Sequence, residues 1–539
     1  MSSNRVAVIL ALARAGATAR AWTDFVAAGY ESSADPVYRT LEGRLLKDQA
    51  TSSQKPEERS RLYGAAAAAY AGAAAGGGST YPLINAAALF LLSGDREASS
   101  ELATQALARI DADPEEPETP YWREATRAEA LLLLDRGDEA RTVFADATVL
   151  APKAWEDHAS TLRQFALILA AQGKESAWLD AHRPPRSLHF GGHMSFDPRV
   201  FRREHLDEKI AAVLDEEKVG FGFGALAAGA DIIIAEALLA RGAELNAILP
   251  GGPEAFAAVS VDPFGKPWRR RFDAVLAMAE TVRPVRPLGA SPDAAMIGLA
   301  DEVAMGAALM NGRRLESSAV QLLVLDSAET ANGASGRSRE IWAAGGWRQR
   351  VLTALRETRR DSAMPAARSA EPLAVIAIGL GHDAAVGQVL AELHGRIARL
   401  PAPALAPYLT EDRLILAYPG PGEAAEAAVR LLGGSSGASS LRIGGQYGPA
   451  ATFHDPFSNA LRLTPAATAA AAGALASAPP GTACVTDDFA AALAAAGPRR
   501  PASEYIGELE PPDDGPPVGL YALKSYDQLF QPLGGDDGQ

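Results

Sequence analysis

The chain has 539 residues, 48% of them hydrophobic and only 6% aromatic, with a net charge of -15 and a pI near 5.2. That length predicts three or four domains at roughly 150 residues each. The acidic balance argues against nucleic acid and against an anionic membrane as partners, because both need clustered Lys and Arg to neutralise phosphate.

The N-terminal run VAVILALA lacks a cleavage context, and Arg14 and Arg20 follow it closely. No stretch of about 18 uninterrupted apolar residues occurs, so no membrane span is expected and the cytoplasm is the expected location. Cys484 is the single cysteine, which excludes an internal disulfide and a cysteine-built metal site. The basic run Arg269-Arg270-Arg271 reads as a solvated helix face.

Residues 1–182 read as helix after helix. YPLINAAALFLLSGDREASSELATQALARI and EATRAEALLLLDRGDEARTVFADATVLAP each predict two helices around a tight Gly-Asp turn. Ala140, Phe144, Ala147 and Pro152 have the spacing of small residues, aromatic and closing proline on one helix. This resembles the second helix of a tetratricopeptide repeat. The resemblance implies a helical repeat module that binds a protein partner in its concave groove. A plain helical bundle is the alternative.

Residues 183–355 alternate short apolar runs with helical patterns. SLHFGGHMS, GFGFG, ELNAILP and SSAVQLLVLD are the expected strands, which predicts a Rossmann-like α/β domain on a parallel sheet. Residues 356–372 are polar and proline-bearing and read as a linker. Residues 373–525 form a second α/β region, with LAVIAIGL, RLILAY, SLRIGG, TACVTDD and VGLYALKS as strands. Residues 526–539 read as a disordered tail.

GFGALAAGADIIIAEALLARGAELNAILP (residues 222–250) predicts a strand end, a helix from Ala225, a Gly242 cap and a second strand. Gly222 and Gly224 would let backbone approach a ligand, and the helix N-terminus would offer N–H groups to a phosphate or carboxylate. Gly191-Gly192-His193 forms a second glycine turn after a strand. Asp231 falls inside the apolar helix pattern, where a carboxylate needs a partner. It either bonds backbone N–H groups of a neighbouring loop or holds a ligand loop. The spacing G-x-G-x4-G is not the dinucleotide fingerprint, and no acidic residue ends the next strand to take a ribose.

Taken with GGHM, FAAVSV and PWRRRFDAVLAMAETV, this stretch resembles the SLOG superfamily, Rossmann-like domains related to DprA and the LOG-type proteins. The resemblance covers about residues 186–350. It implies a nucleotide or nucleotide-sugar ligand near Gly191, Gly192, Gly222, Gly224 and Asp231, and His193 beside them is a further ligand-binding candidate. Pro250-Gly251-Gly252 continues PEAF, without the Gly-Thr of the LOG-type phosphoribohydrolases.

LRIGGQYGP, APPGTACVTDDFAAALAAAG and SEYIGELEPPDDGPPVGLYAL resemble the second half of a class III nucleotide cyclase domain. The resemblance implies an α/β, ferredoxin-like cyclase-homology domain, a homodimer, and two carboxylates holding Mg2+. Ala377 stands where the first aspartate belongs, and Asp383 is too far along to replace it. Asp412 remains as a residual metal candidate in Glu411-Asp412-Arg413, without flanking glycines. Asn459 and Arg462 are the nearest match to the transition-state Asn-x3-Arg pair, one residue too close.

The chain is therefore expected to be a multidomain signalling protein. It would have an all-α helical repeat N-terminus, a ligand-binding Rossmann-like middle and a catalytically inactive cyclase-like end. A weakly active cyclase or nucleotide hydrolase is one alternative, and an adaptor without a small-molecule ligand is another.

Overall fold

The computed structural model describes residues 2–75, 79–113, 119–194, 205–326, 334–354, 371–380, 386–410, 412–433, 441–498, 500–510 and 516–524. Most of the expected linker, the expected tail, Glu411 and Asp383 lie outside the described residues. The chain divides into a helical unit up to Pro184 and an α/β unit from Pro185.

The helical unit contains α1 (Ser2–Arg14), α2 (Thr18–Ala27), α3 (Pro36–Ser52), α4 (Pro56–Ala75), α5 (Thr80–Ser93), α6 (Arg96–Ala112), α7 (Pro120–Leu133), α8 (Gly137–Leu150) and α9 (Trp155–Gln172). Local chemistry sets their ends. The side chains of Asp35, Ser79, Asp95 and Thr119 accept first-turn N–H groups of α3, α5, α6 and α7. Gly94 and Gly173 close α5 and α9 in the left-handed conformation. Successive helices pack as hairpins, α3 on α4, α5 on α6 and α7 on α8. Ala140, Phe144 and Ala147 are fully buried on α8, and the Phe144 ring meets Phe165 of α9 at 5.0 Å.

The α/β unit holds two large sheets. The first is wholly parallel: β1 (Arg186–Gly192), β2 (Val219–Gly224), β3 (Glu244–Pro250), β4 (Thr281–Val285), β5 (Ala319–Leu325) and β6 (Arg348–Thr353), in the order β4-β3-β2-β1-β5-β6. Helices α10 (Leu206–Glu216), α11 (Ala230–Leu239), α12 (Pro253–Ser260), α13 (Lys266–Met278), α14 (Ala294–Arg314) and α15 (Ala334–Ala344) join the strands. The chain winds one way from β1 to β4, then returns to β5 on the other side of β1. That reversal is a topological switch point between β1 and β5. The core strands are near-continuous apolar runs, as burial on both faces requires. The edge strands β4 and β6 are too polar to announce themselves, and Pro284 is tolerated because β4 is an edge.

The second sheet contains β7 (Pro372–Gly379), β8 (Tyr408–Thr410), β9 (Arg413–Tyr418), β10 (Arg442–Pro449), β13 (Thr482–Thr486), β14 (Ala502–Leu509) and β15 (Val518–Lys524). A separate hairpin, β11 (Thr452–Asp455) with β12 (Ala460–Leu463), precedes α18. The helices are α16 (Val386–Ile397), α17 (Pro421–Leu432), α18 (Ala469–Ser477) and α19 (Asp487–Ala495). The order β10-β7-β9-β8 with two intervening helices is the ferredoxin-like βαββαβ arrangement, extended by β13, β15 and β14. No helix among the described residues is long and apolar enough to cross a membrane.

The two sheets belong to one compact body. Helix α14 is buried nearly all round. A Cβ on its Gly306 would stand 1.7 Å from the Ala491 carbonyl oxygen of α19, so only glycine permits this approach. Met305, Leu309 and Trp342 pack on Ala494 and Ala495. Arg283 of β4 pairs with Asp488 and, at 3.4 Å, with Asp487 at the start of α19. The Tyr447 hydroxyl on β10 donates to Glu302 of α14 at 3.1 Å.

Candidate functional site

The glycines of the parallel sheet are packed by protein. A Cβ on Gly222 would meet Leu238 at 2.4 Å, and one on Gly224 would meet the Phe190 carbonyl at 2.7 Å and its ring at 2.9 Å. A Cβ on Gly192 would reach Val324 O at 2.4 Å and Ala230 at 2.6 Å. At these three positions the backbone packs closely against α11 and the neighbouring strands. Gly191 differs: its Cβ would find only Leu323, at 3.8 Å, an ordinary contact. It stands at the carboxyl end of β1, beside the switch point.

Helix α11 starts at Ala230 and not at Ala225, because Gly229 takes φ 128 and ψ -127, open only to glycine. Asp231 is therefore in the first turn, not two turns in. Its carboxylate accepts Ala227 N–H at 3.1 Å and the backbone N–H of Gly192, and so joins the loop after β2 to the end of β1. Ala230 N–H donates to His193 O at 3.3 Å. The Asp231 carboxyl thus ties the loop before α11 to the end of β1, and the first helical N–H, that of Ala230, is taken by His193 O. Burial, with a smaller contribution from the charge of Asp301, pushes the Asp231 carboxyl up to about 8. His193 is buried, and its Nε2 donates to Ala354 O at 2.8 Å.

A buried polar chain beside this edge escaped the sequence reading. Gln349 Nε2 donates to Gln321 Oε1 at 2.6 Å, and Gln321 Nε2 to His189 Nδ1 at 3.0 Å. His189 Nε2 then faces Asp301 Oδ1 at 3.0 Å. The Gln321 bond assigns the proton to Nε2, so His189 donates to Asp301. The signal was present: His189 and Gln321 interrupt apolar strands, and a buried polar group requires a partner.

In the second sheet, Ala377 lies on the face of β7 covered by α18. It shares an apolar cluster with Val375, Ala417, Ala471 and Leu475, and pairs with Ile415 and Gly444. Asp412 closes the β8–β9 hairpin. Its carbonyl accepts Leu380 N–H at 3.0 Å, and its carboxylate faces Arg413 at 3.3 Å. Asn459 and Arg462 do not lie on a helix. Asn459 is the turn residue of the β11–β12 hairpin at φ 52. Arg462 on β12 is held by Asp455 at 2.6 Å and lies over the Tyr408 ring at 5.0 Å. The helix that follows, α18, reads AAAAGALAS and carries neither Asn nor Arg.

No family model matches this chain, and no curated protein matches it. Among solved structures it is similar to an adenylate cyclase of Trypanosoma brucei in its monomeric state, with 14% identity over 30% of this chain and 91% of that one, TM-score 0.25. It is similar to the catalytic core of a rhodopsin-guanylyl cyclase, with 12% identity over 29% and 98% of the two chains, TM-score 0.25. The adenylyl cyclase CyaB of P. aeruginosa gives 10% identity over 28% and 93%, TM-score 0.23. Similarity at that level assigns neither a fold nor a function; strand order and side chains carry the reading instead.

Proposed function

We propose that this chain is a non-catalytic regulatory protein. A Rossmann-like domain and a cyclase-like domain act as one body, and the helical repeats bind a protein partner. The carrying observation is the setting of Ala377. The position that would bring the first metal carboxylate is an alanine inside an apolar cluster closed by α18. Asp412, Asn459 and Arg462 are engaged in hairpin structure, and Mg2+ would find only Asp412 of the expected pair. The homodimer is supported by Phe457, which is 98% exposed at the tip of the β11–β12 hairpin.

The nucleotide-derived ligand belongs in this reading at the switch point, against Gly191. Thermal shifts of the full chain against nucleotides, cyclic nucleotides and ADP-ribose derivatives, with and without Mg2+, test it. A ligand at 100 times its Kd stabilises by about 2.7 kcal/mol. A shift is expected, and Gly191→Val should remove it while the protein stays folded, since the fold has room for that Cβ.

The adaptor reading is favoured by the close packing at Gly192, Gly222 and Gly224 and by the Ala230 N–H at the start of α11, which already bonds His193 O. A flat response to the whole panel would establish it over the ligand-binding one.

A further inference from the structure

A groove of about 420 Å³ opens in the helical unit between α1, α3, α4 and α5. Its walls are Val6 and Leu10 of α1, Val37 and Leu41 of α3, and Tyr70 of α4. Gly43 seats the Tyr70 ring: a Cβ there would stand 2.6 Å from the ring carbon Cδ2, so the aromatic lies flush on α3. The Tyr81 ring, also in the lining, meets Tyr70 edge-on at 6.2 Å. The walls are thus mostly aliphatic side chains and two tyrosine rings, with Thr40 and Ser79 as the uncharged polar members.

One charge enters this lining, Arg44, and no acidic side chain does. Among the described residues Arg44 has neither an ion pair nor a hydrogen bond. Its charged neighbours on α3 are Lys47 and Asp48. Lys47 is half-buried and faces Glu129 of α7 and Asp48. A half-buried guanidinium without an acceptor beside an apolar wall is complementary to a carboxylate on an apolar body. Arginine offers a planar fork that fits a carboxylate in bidentate fashion. A volume of about 420 Å³ matches a small molecule and not a folded segment.

We propose that this groove binds a small carboxylic acid with an apolar body, its carboxylate on Arg44 and its hydrocarbon against Val6, Leu10, Val37 and Leu41. The site is separate from the sheet edge at Gly191, and the proposal stands or falls independently of nucleotide binding.

Calorimetric titration of the full chain with decanoate tests this, with decanol as the uncharged control. Saturable binding at one site is expected. Arg44→Gln should weaken it by about ten-fold or more, as loss of one charge-assisted bond implies. Val37→Asp, on a side chain 59% exposed and so tolerable to the fold, should weaken it similarly by repulsion. Decanol should bind about ten-fold more weakly than the acid. Equal binding of decanol, unchanged affinity in Arg44→Gln with a native melting curve, or no saturable binding of decanoate below about 1 mM would each overturn the proposal.

Discussion

Asp231 is buried with its carboxyl pushed up to about 8, so the folded chain holds a proton that the unfolded chain has released. A raised carboxyl pKa contributes stability at low pH and loses it as pH climbs from the ordinary carboxylate range towards 8. Melting temperatures between about pH 5 and pH 9 should fall with pH, and Asp231→Asn should flatten that slope. An unchanged slope in the variant would place the proton elsewhere. Ala377→Asp probes the other sheet. A carboxylate in the cluster with Ala471 and Leu475 should lower stability by at least about 2 kcal/mol in denaturant titration. The glycines at 222 and 224 were legible as close-approach positions, but their purpose was not. Whether a ligand or Phe190 fills the space depends on a side chain from another strand.

At the scale of elements, the docking of α14 on α19 depends on one missing side chain. Gly306→Leu forces a side chain into the Ala491 backbone and should cost about 1–3 kcal/mol or more. Amide hydrogen exchange should quicken in α14 and α19 while β2 and β3 stay protected. Protection unchanged throughout would show that the contact is not needed. The β11–β12 hairpin carries a second expectation. Phe457→Ser should turn a two-chain species into a single chain in sedimentation, and an unaltered mass would move the dimer contact elsewhere. Helices flanking the Gly-Asp turns and the buried strands were readable from sequence, because Gly94-Asp95 and the QLLVL type of run act locally. Strands β4, β6 and β14 were not, because edge strands tolerate polar residues and proline. The hairpin around Asn459 was missed for a related reason: its turn chemistry, Asp455 bonding Phe457 N–H and Ser458, overrides a motif read by spacing alone.

For the molecule as a whole, the sequence suggested separate central and C-terminal domains, and the structure joins them in one compact unit. That union was not legible. The residues that make it, Gly306 and the alanines of α19, look like ordinary small residues until two distant helices meet. Arg283→Ala should remove the cation that contacts both Asp487 and Asp488 and cost about 1.5–3 kcal/mol, seen as an earlier calorimetric transition of the α/β unit. This body is expected to regulate without cyclase chemistry. Mass-spectrometric detection of cyclic nucleotide, after incubating the full chain with ATP or GTP and Mg2+ or Mn2+, tests it most directly. No product above a protein-free control is expected. Metal-dependent product that disappears in Asp412→Ala would contradict it.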